Sequence, residues 1–316
     1  MNGGRILNSL IFALLALGII FCPSYAFGSG PVVILLSDEE KAYTMPVATF
    51  KGEVDSPVEI VNLRGDIKKA PAIMEQIFSR KPCLIFALGA KASYIARVWT
   101  VDRPEIPVIF AMVLNWERYG LMDGHDHIAG IASDVDPGAQ FANMTMISPR
   151  VRRIGVLYSR EHSSQIVAKA KEAAGKLGLE LVAQQIDHSE DFQRSYKKIA
   201  GHIDGFWILT DPVVYTLENM AWLEKRCIED RMVCLGQSRN IAKLGVLLAV
   251  DADIPNIGFQ AASMAKNILL RNQSPKKLGV MPPLGTRIYL NAKTAKEIGL
   301  VLNPSALDMA SEIIDR

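Results

Sequence analysis

The feature that most constrains the fold is a rhythm: short, unbroken apolar runs alternate with helical stretches, and the whole pattern occurs twice. Val32 to Leu36, Val58 to Leu63, Cys83 to Leu88, Val108 to Val113 and Ile128 to Ala132 are the runs of the first half. They are too short for core helices and too uniformly apolar for half-solvated strands, so they predict strands of a parallel sheet covered on both faces. Between them, Pro71 marks a first helical position, with Ile73, Met74, Ile77 and Phe78 on one face. A second helix follows Gly89, and Asp136-Pro137 reads as an N-cap followed by proline at the start of a third.

After Ser148-Pro149-Arg150 the rhythm restarts. Strands are predicted at Ile154 to Tyr158, Leu179 to Ile186, Phe206 to Leu209, Val233 to Leu235 and Val246 to Val250. Helices are predicted over Ser164 to Leu177, Phe192 to Ile199 and Leu217 to Ile228. A chain of 316 residues that is 49% hydrophobic can fill two such cores. The expectation is therefore an α/β protein of two doubly wound, Rossmann-like lobes, one over 27–150 and one over 151–253. An amphipathic helix from Ile254 to Leu270, a strand at Arg287 to Leu290 and two final helices complete the chain, and pattern alone does not assign them to a lobe.

Residues 1–26 read as a secretory signal peptide: Arg5 gives the positive start, Leu10 to Phe21 the apolar stretch, and Ser24-Tyr25-Ala26 the small residues of a cleavage site. An uncleaved anchor or a lipid attached at Cys22 are the alternatives, but the apolar run is short for a span and bulky Phe21 precedes the cysteine. A periplasmic or otherwise extracytoplasmic location follows. Formal charge is only +2, with 35 basic against 33 acidic residues, so no field favours nucleic acid and none is expected as a partner. Cys83, Cys227 and Cys234 show no metal-type spacing. A Cys227–Cys234 bridge could form in an oxidising compartment, although separate buried thiols are the simpler expectation.

Ligands of doubly wound sheets sit beyond the carboxyl ends of the strands. The residues expected there are Ser37, Gly89, Ala90, Asn115 and Trp116 in the first half, and Ser159, Asp211, Ser238 and Arg239 in the second. The Gly89 turn could offer backbone N–H groups to a carboxylate, and Asp211 could hold an amino group or cap a helix. Trp116 could stack on a ligand, and Arg239 could fork onto a carboxylate or simply face water. His125-Asp126-His127 invites a metal reading, but no HExxH or Cys/His framework supports it. No nucleophile elbow, phosphate loop or dinucleotide fingerprint stands in the right place, so no catalytic residue, metal or cofactor is expected and the chain is not read as an enzyme.

One segment is more specific. Asn291-Ala292-Lys293-Thr294-Ala295, with Gly299-Leu300 and Pro304-Ser305, resembles the closing segment of the ABC transporter substrate-binding proteins of the tryptophan/tyrosine type. Ile85 to Ala92, Pro107 to Asn115, Gly130 to Phe141, Arg152 to Ser159 and Asp251 to Ala262 are similar to the same family, so the likeness spans most of the chain. It implies a type I periplasmic-binding-protein fold with a three-crossing hinge, roughly 254–282 returning to the first lobe and roughly 283–316 to the second. It also implies a monomer that closes on a small polar, amino acid-like ligand, with the Ser159 to Ser164 segment and its Ser163 lining the cleft, and delivers it to an ABC permease. Ala90 and Pro212 stand where the family often carries other residues. A ligand-sensing partner of a membrane receptor such as a histidine kinase would present the same cleft, and a metal-dependent hydrolase at His125 and His127 is the third reading.

Overall fold

Val32 and Ile34 pack into one hydrophobic cluster while Val33 and Leu35 pack into another, so the first strand is buried on both faces, as its unbroken apolar run requires. The computed structural model describes residues 30–315; the leader expected over 1–26 lies outside them. In the first sheet, β1 (Val32–Leu36) lies between β2 (Val58–Asn62) and β3 (Leu84–Leu88), with β4 (Val108–Ala111) and β5 (Ile128–Ile131) continuing beyond β3, all parallel. On one face sit α1 (Thr44–Glu53) and, from much later in the chain, a long helix over 254–271; on the other sit α2 (Ala70–Ser79) and α3 (Ala90–Thr100).

The second sheet is built from β6 (Arg153–Tyr158), β7 (Glu180–Gln185), β8 (Gly205–Trp207), β9 (Val233–Gly236) and β10 (Leu248–Ala252). Here α4 (Pro137–Ile147) and α5 (Arg160–Lys176) cover one face through Phe141, Met144, Val167 and Ala170. The other face carries α6 (Phe192–Ala200) and α7 (Leu217–Glu229) through Phe192, Tyr196, Leu223 and Cys227. The helix α4 was expected to end the first half. Because it packs against the second sheet, the chain leaves the first sheet at Ala132 to Asp136 and not near residue 150.

The remaining elements cross twice more. After α8 (Arg239–Lys243) and β10, helix α9 (Ile254–Arg271) packs on α1 so closely that a Cβ on Gly258 would stand 2.2 Å from the Pro46 carbonyl oxygen. A short α10 (Pro275–Leu278) leads to β11 (Val280–Met281), which pairs in parallel with β5. The chain then returns to the second sheet as β12 (Thr286–Asn291), antiparallel to β10. Helices α11 (Ala292–Glu297) and α12 (Pro304–Met309) follow, and the chain closes not on the second of the two expected helices but on β13 (Glu312–Ile314), which adds to β12. The reason is local: Ser311 N–H donates to the Ile288 carbonyl at 2.8 Å, which commits the last residues to the sheet edge. The sheet orders are β11-β5-β4-β3-β1-β2 and β13-β12-β10-β9-β8-β6-β7.

The expectation of separate thiols in the second half is overturned. Cys227 at the end of α7 and Cys234 in β9 form a disulfide with their Cα atoms 6.6 Å apart. The turn at Asp230-Arg231, where Arg231 adopts φ 50°, folds the chain back so that residues seven apart in sequence face each other. Cys83 remains a buried free thiol. Closing so short a loop stabilises by about 2.5 kcal/mol on chain-entropy grounds. The Cys227→Ser/Cys234→Ser double variant is therefore expected to lose about that much in urea unfolding, and the wild-type chain to lose it on reduction.

Candidate functional site

The strands β4, β5 and β11 of one sheet and β6, β8 and β9 of the other all deliver their carboxyl ends to one place. The residues that follow those ends enclose a cavity of about 270 Å³. Leu114 to Glu117 come from the segment after β4, Ala132 to Pro137 from the first passage between the sheets, and Val280 with Pro282 from β11. Opposite them stand His162, Ser163, Gln165, Ile166 and Lys169 on α5, together with Leu209, Thr210 and Gln237. Parallel strands put unsatisfied helix N-termini and adaptable loops at this edge, which is why binding collects here.

Asn115 organises the first wall. It sits in the left-handed region at φ 50°, a conformation that asparagine tolerates better than most residues. Its backbone N–H donates to Asp134 Oδ2 at 2.6 Å, and its side-chain Nδ2 donates to the His162 carbonyl at 2.6 Å, so one residue ties the two walls together. Trp116 is half-buried, with its ring 5.9 Å from that of Phe110. Two ion pairs reinforce the same edge: Lys169 with Glu117, and Arg118 Nη2 with Glu161 Oε1 at 3.4 Å. Burial pushes the Asp134 carboxyl up from its ordinary value, with the nearby Glu117 charge adding to the effect.

Asp211 organises the second wall from behind. Its Oδ2 accepts from Ser159 N at 2.8 Å and from Ser163 Oγ at 2.7 Å, while Oδ1 accepts from Val213 N at 3.1 Å and Val214 N at 3.3 Å. Ser159 Oγ also donates to it, at 2.9 Å to Oδ2. An ionised carboxyl has about four acceptor sites, so these donors fill it. Asp211 is 2% exposed and acts as a clamp joining the start of α5 to the turn after β8.

Of the residues expected at the site, Asn115, Trp116 and Ser163 line the cavity, and Ser159 and Asp211 stand directly behind Ser163. Ser37, Gly89 and Ala90 gather at the ends of β1 and β3 on the same sheet edge, outside the cavity lining, where Ser37 Oγ accepts from Ala92 N at 2.9 Å. Ser238 caps α8, and Arg239 forks onto Glu312 with two bonds of 2.6 Å, both outside the lining. The expected residues do not include Asp134 or the α5 face made by Gln165, Ile166 and Lys169, whereas His162 lies within the Ser159 to Ser164 segment that the family resemblance places at the cleft. Their spacing of three and four residues puts them on one helix face, but residue type alone does not say that this face meets a cavity; the helix itself starts at Arg160, four residues before the expected Ser164.

His125 and His127 are elsewhere. Their rings lie 5.6 Å apart, and buried His127 places Nε2 2.9 Å from Thr100 Oγ1; burial holds its imidazole below the ordinary value. Among the described residues no group of three or more His, Cys, Asp or Glu side chains is placed to hold a metal, and no helix is long and apolar enough to cross a membrane.

The profile of the ABC transporter substrate binding protein family matches residues 52–314. The chain belongs to that family. This substrate-binding protein is similar in structure to a ligand-free, open substrate binding protein with adhesive properties from Clostridium difficile, at 21% identity and TM-score 0.75, covering 90% of this chain and 100% of that one. It is similar also to the ABC domain in complex with L-Trp from Streptococcus pneumonia, at 18% identity and TM-score 0.61 over the same shares of 90% and 100%. A leucine binding protein from Thermotoga maritima matches at 12% identity and TM-score 0.53, over 85% of this chain and 87% of that one. No curated protein matches its sequence at a significant level. The two sheets and three passages are thus the type I periplasmic-binding-protein fold, in a family defined by substrate binding rather than by catalysis.

Proposed function

We propose that this protein works outside the cytoplasm as a monomer, captures one small polar, amino acid-like solute in the cavity between its lobes, and hands it to the permease of an ABC importer. The observation that carries the reading is the cavity itself, walled by strand ends of both sheets in a chain of the substrate-binding family. The lobes then close about the three passages near Ala132 to Asp136, Asp253 and Pro282 to Gly285, and no chemical step is needed. The Cys227–Cys234 bridge supports an oxidising compartment. Asn115 already spans the two walls, so it is assigned a part in setting how far they close.

Calorimetric titration and thermal unfolding of the purified chain against amino acids, short peptides, nucleosides and sugars test the reading. One solute is expected to bind with a stoichiometry of one. At a hundredfold excess over Kd it should add about 2.7 kcal/mol of stability. That corresponds to a rise in Tm of about 5 °C. If no solute shifts the melt, and native mass spectrometry of protein from its own cells finds no retained small molecule, the reading is wrong.

A further inference from the structure

The charges in the cavity wall narrow what the solute can be; the step rests on the reading above that this cavity is the ligand site. Four charged side chains line it: Glu117, Asp134, Asp136 and Lys169. Lys169 is already taken by Glu117. Asp136 is also occupied, because its Oδ1 accepts from Gly138 N at 2.8 Å and Ala139 N at 3.2 Å and so caps α4. Asp134 remains. Its Oδ2 accepts the backbone N–H of Asn115, which leaves most of a carboxylate's four acceptor sites open. Its nearest cation, Lys169, is shared with Glu117, whose own negative charge also bears on Asp134; a half-buried carboxylate so incompletely compensated is costly, and the cost is relieved if the ligand brings the positive charge.

A ligand carboxylate finds no comparable welcome. No arginine lines the cavity. The helix N-termini at its edge already have caps from the chain, α4 from Asp136 and α5 from Ser159, whose Oγ accepts from His162 N at 3.3 Å. Asp211, a carboxylate that could have met an amino group, is saturated by its own chain. The uncharged polar side chains of His162, Gln165, Thr210 and Gln237 share the rest of the wall with Leu114, Trp116, Ile166 and Leu209, which are available to an aliphatic or aromatic body.

We infer that the solute is a small primary amine, an ammonium group on a compact apolar body, that its nitrogen is held by Asp134, and that it requires no carboxylate. Asp134 is then the residue that selects for positive charge, and the segment after β4 supplies the wall against which the body packs.

Matched probes test this on the intact chain by calorimetry: tyramine and isoamylamine, which carry only the amine; 3-(4-hydroxyphenyl)propionate and 4-methylpentanoate, which carry only the carboxylate; and L-tyrosine and L-leucine, which carry both. At least one amine is expected to bind, its carboxylate counterpart not to bind, and the amino acid to bind no more than about threefold tighter than the amine. Asp134→Asn keeps an acceptor for Asn115 N and removes the charge; it is expected to weaken the amine at least about tenfold with an unchanged melt. Lys169→Met removes a like charge and is expected to tighten the amine, whereas a cavity that holds carboxylates would lose affinity. Binding of amino acids or acids without binding of either amine overturns the inference and leaves the solute-binding reading intact. Binding of none of the six, with no solute retained from cells, overturns both.

Discussion

Asp211→Ala is expected to cost about 3–5 kcal/mol of folding free energy, although Asp211 does not itself line the cavity. The carboxylate is 2% exposed and meets three backbone N–H groups and two serine hydroxyls. Removing it strands donors that are buried, or half-buried in the case of Val213, and each unsatisfied buried group costs about 1–3 kcal/mol. The hydroxyls of Ser159 and Ser163 can rotate to new acceptors, but the N–H groups of Ser159, Val213 and Val214 are fixed by the backbone, so the loss is not recovered by repacking. Asp211→Asn keeps the shape and one acceptor while turning two hydrogens toward existing donors; about half the loss is expected. Urea unfolding should show the midpoint fall with the slope unchanged, since the native surface is the same. A loss below about 1 kcal/mol for the alanine variant would show that Asp211 is not the clamp that fixes α5 against the turn after β8.

That clamp also shows what sequence reading could and could not reach. Asp211 was visible as a polar residue at a strand end before proline, and both of its readings, ligand partner and helix cap, were consistent with its neighbours. Only the meeting of residues about fifty apart, Ser159 and Ser163 with Asp211, shows that its acceptor sites are filled. The strands were legible because burial on both faces demands unbroken apolar runs, as Val32 to Leu36 and Leu84 to Leu88 show. Helix α1 was not, since Pro46 and a mixed apolar pattern over Thr44–Glu53 give no clear stripe; it is held by packing against α9, two hundred residues later in sequence at about that distance. The pairing of Cys227 with Cys234 depended likewise on a left-handed turn at Arg231 that nothing in its residue type announces.

The αL or mirror-image backbone positions of glycine carry the other large effect. Gly89 adopts φ 86° and ψ 166°, a region that is essentially reserved for glycine, and it forms the N-cap of α3 immediately after β3. Alanine there is strained by about 1–3 kcal/mol from the dihedrals alone. Its Cβ would also stand 2.2 Å from the Tyr43 hydroxyl and 2.6 Å from Ser37 Oγ. Ser37 has little room to retreat, because its Oγ accepts from Ala92 N and its backbone N–H donates to the Leu88 carbonyl. Overpacking of this kind adds about 1–3 kcal/mol. Gly89→Ala is thus expected to cost about 3–5 kcal/mol in urea unfolding. Adding Tyr43→Phe removes the nearest clashing atom but not the dihedral strain or the Ser37 contact, so the double variant should recover only part of the loss. Full recovery would place the whole cost in the Tyr43 contact, and a loss under about 1 kcal/mol in the single variant would mean that the turn between β3 and α3 relaxes to a conformation open to any residue.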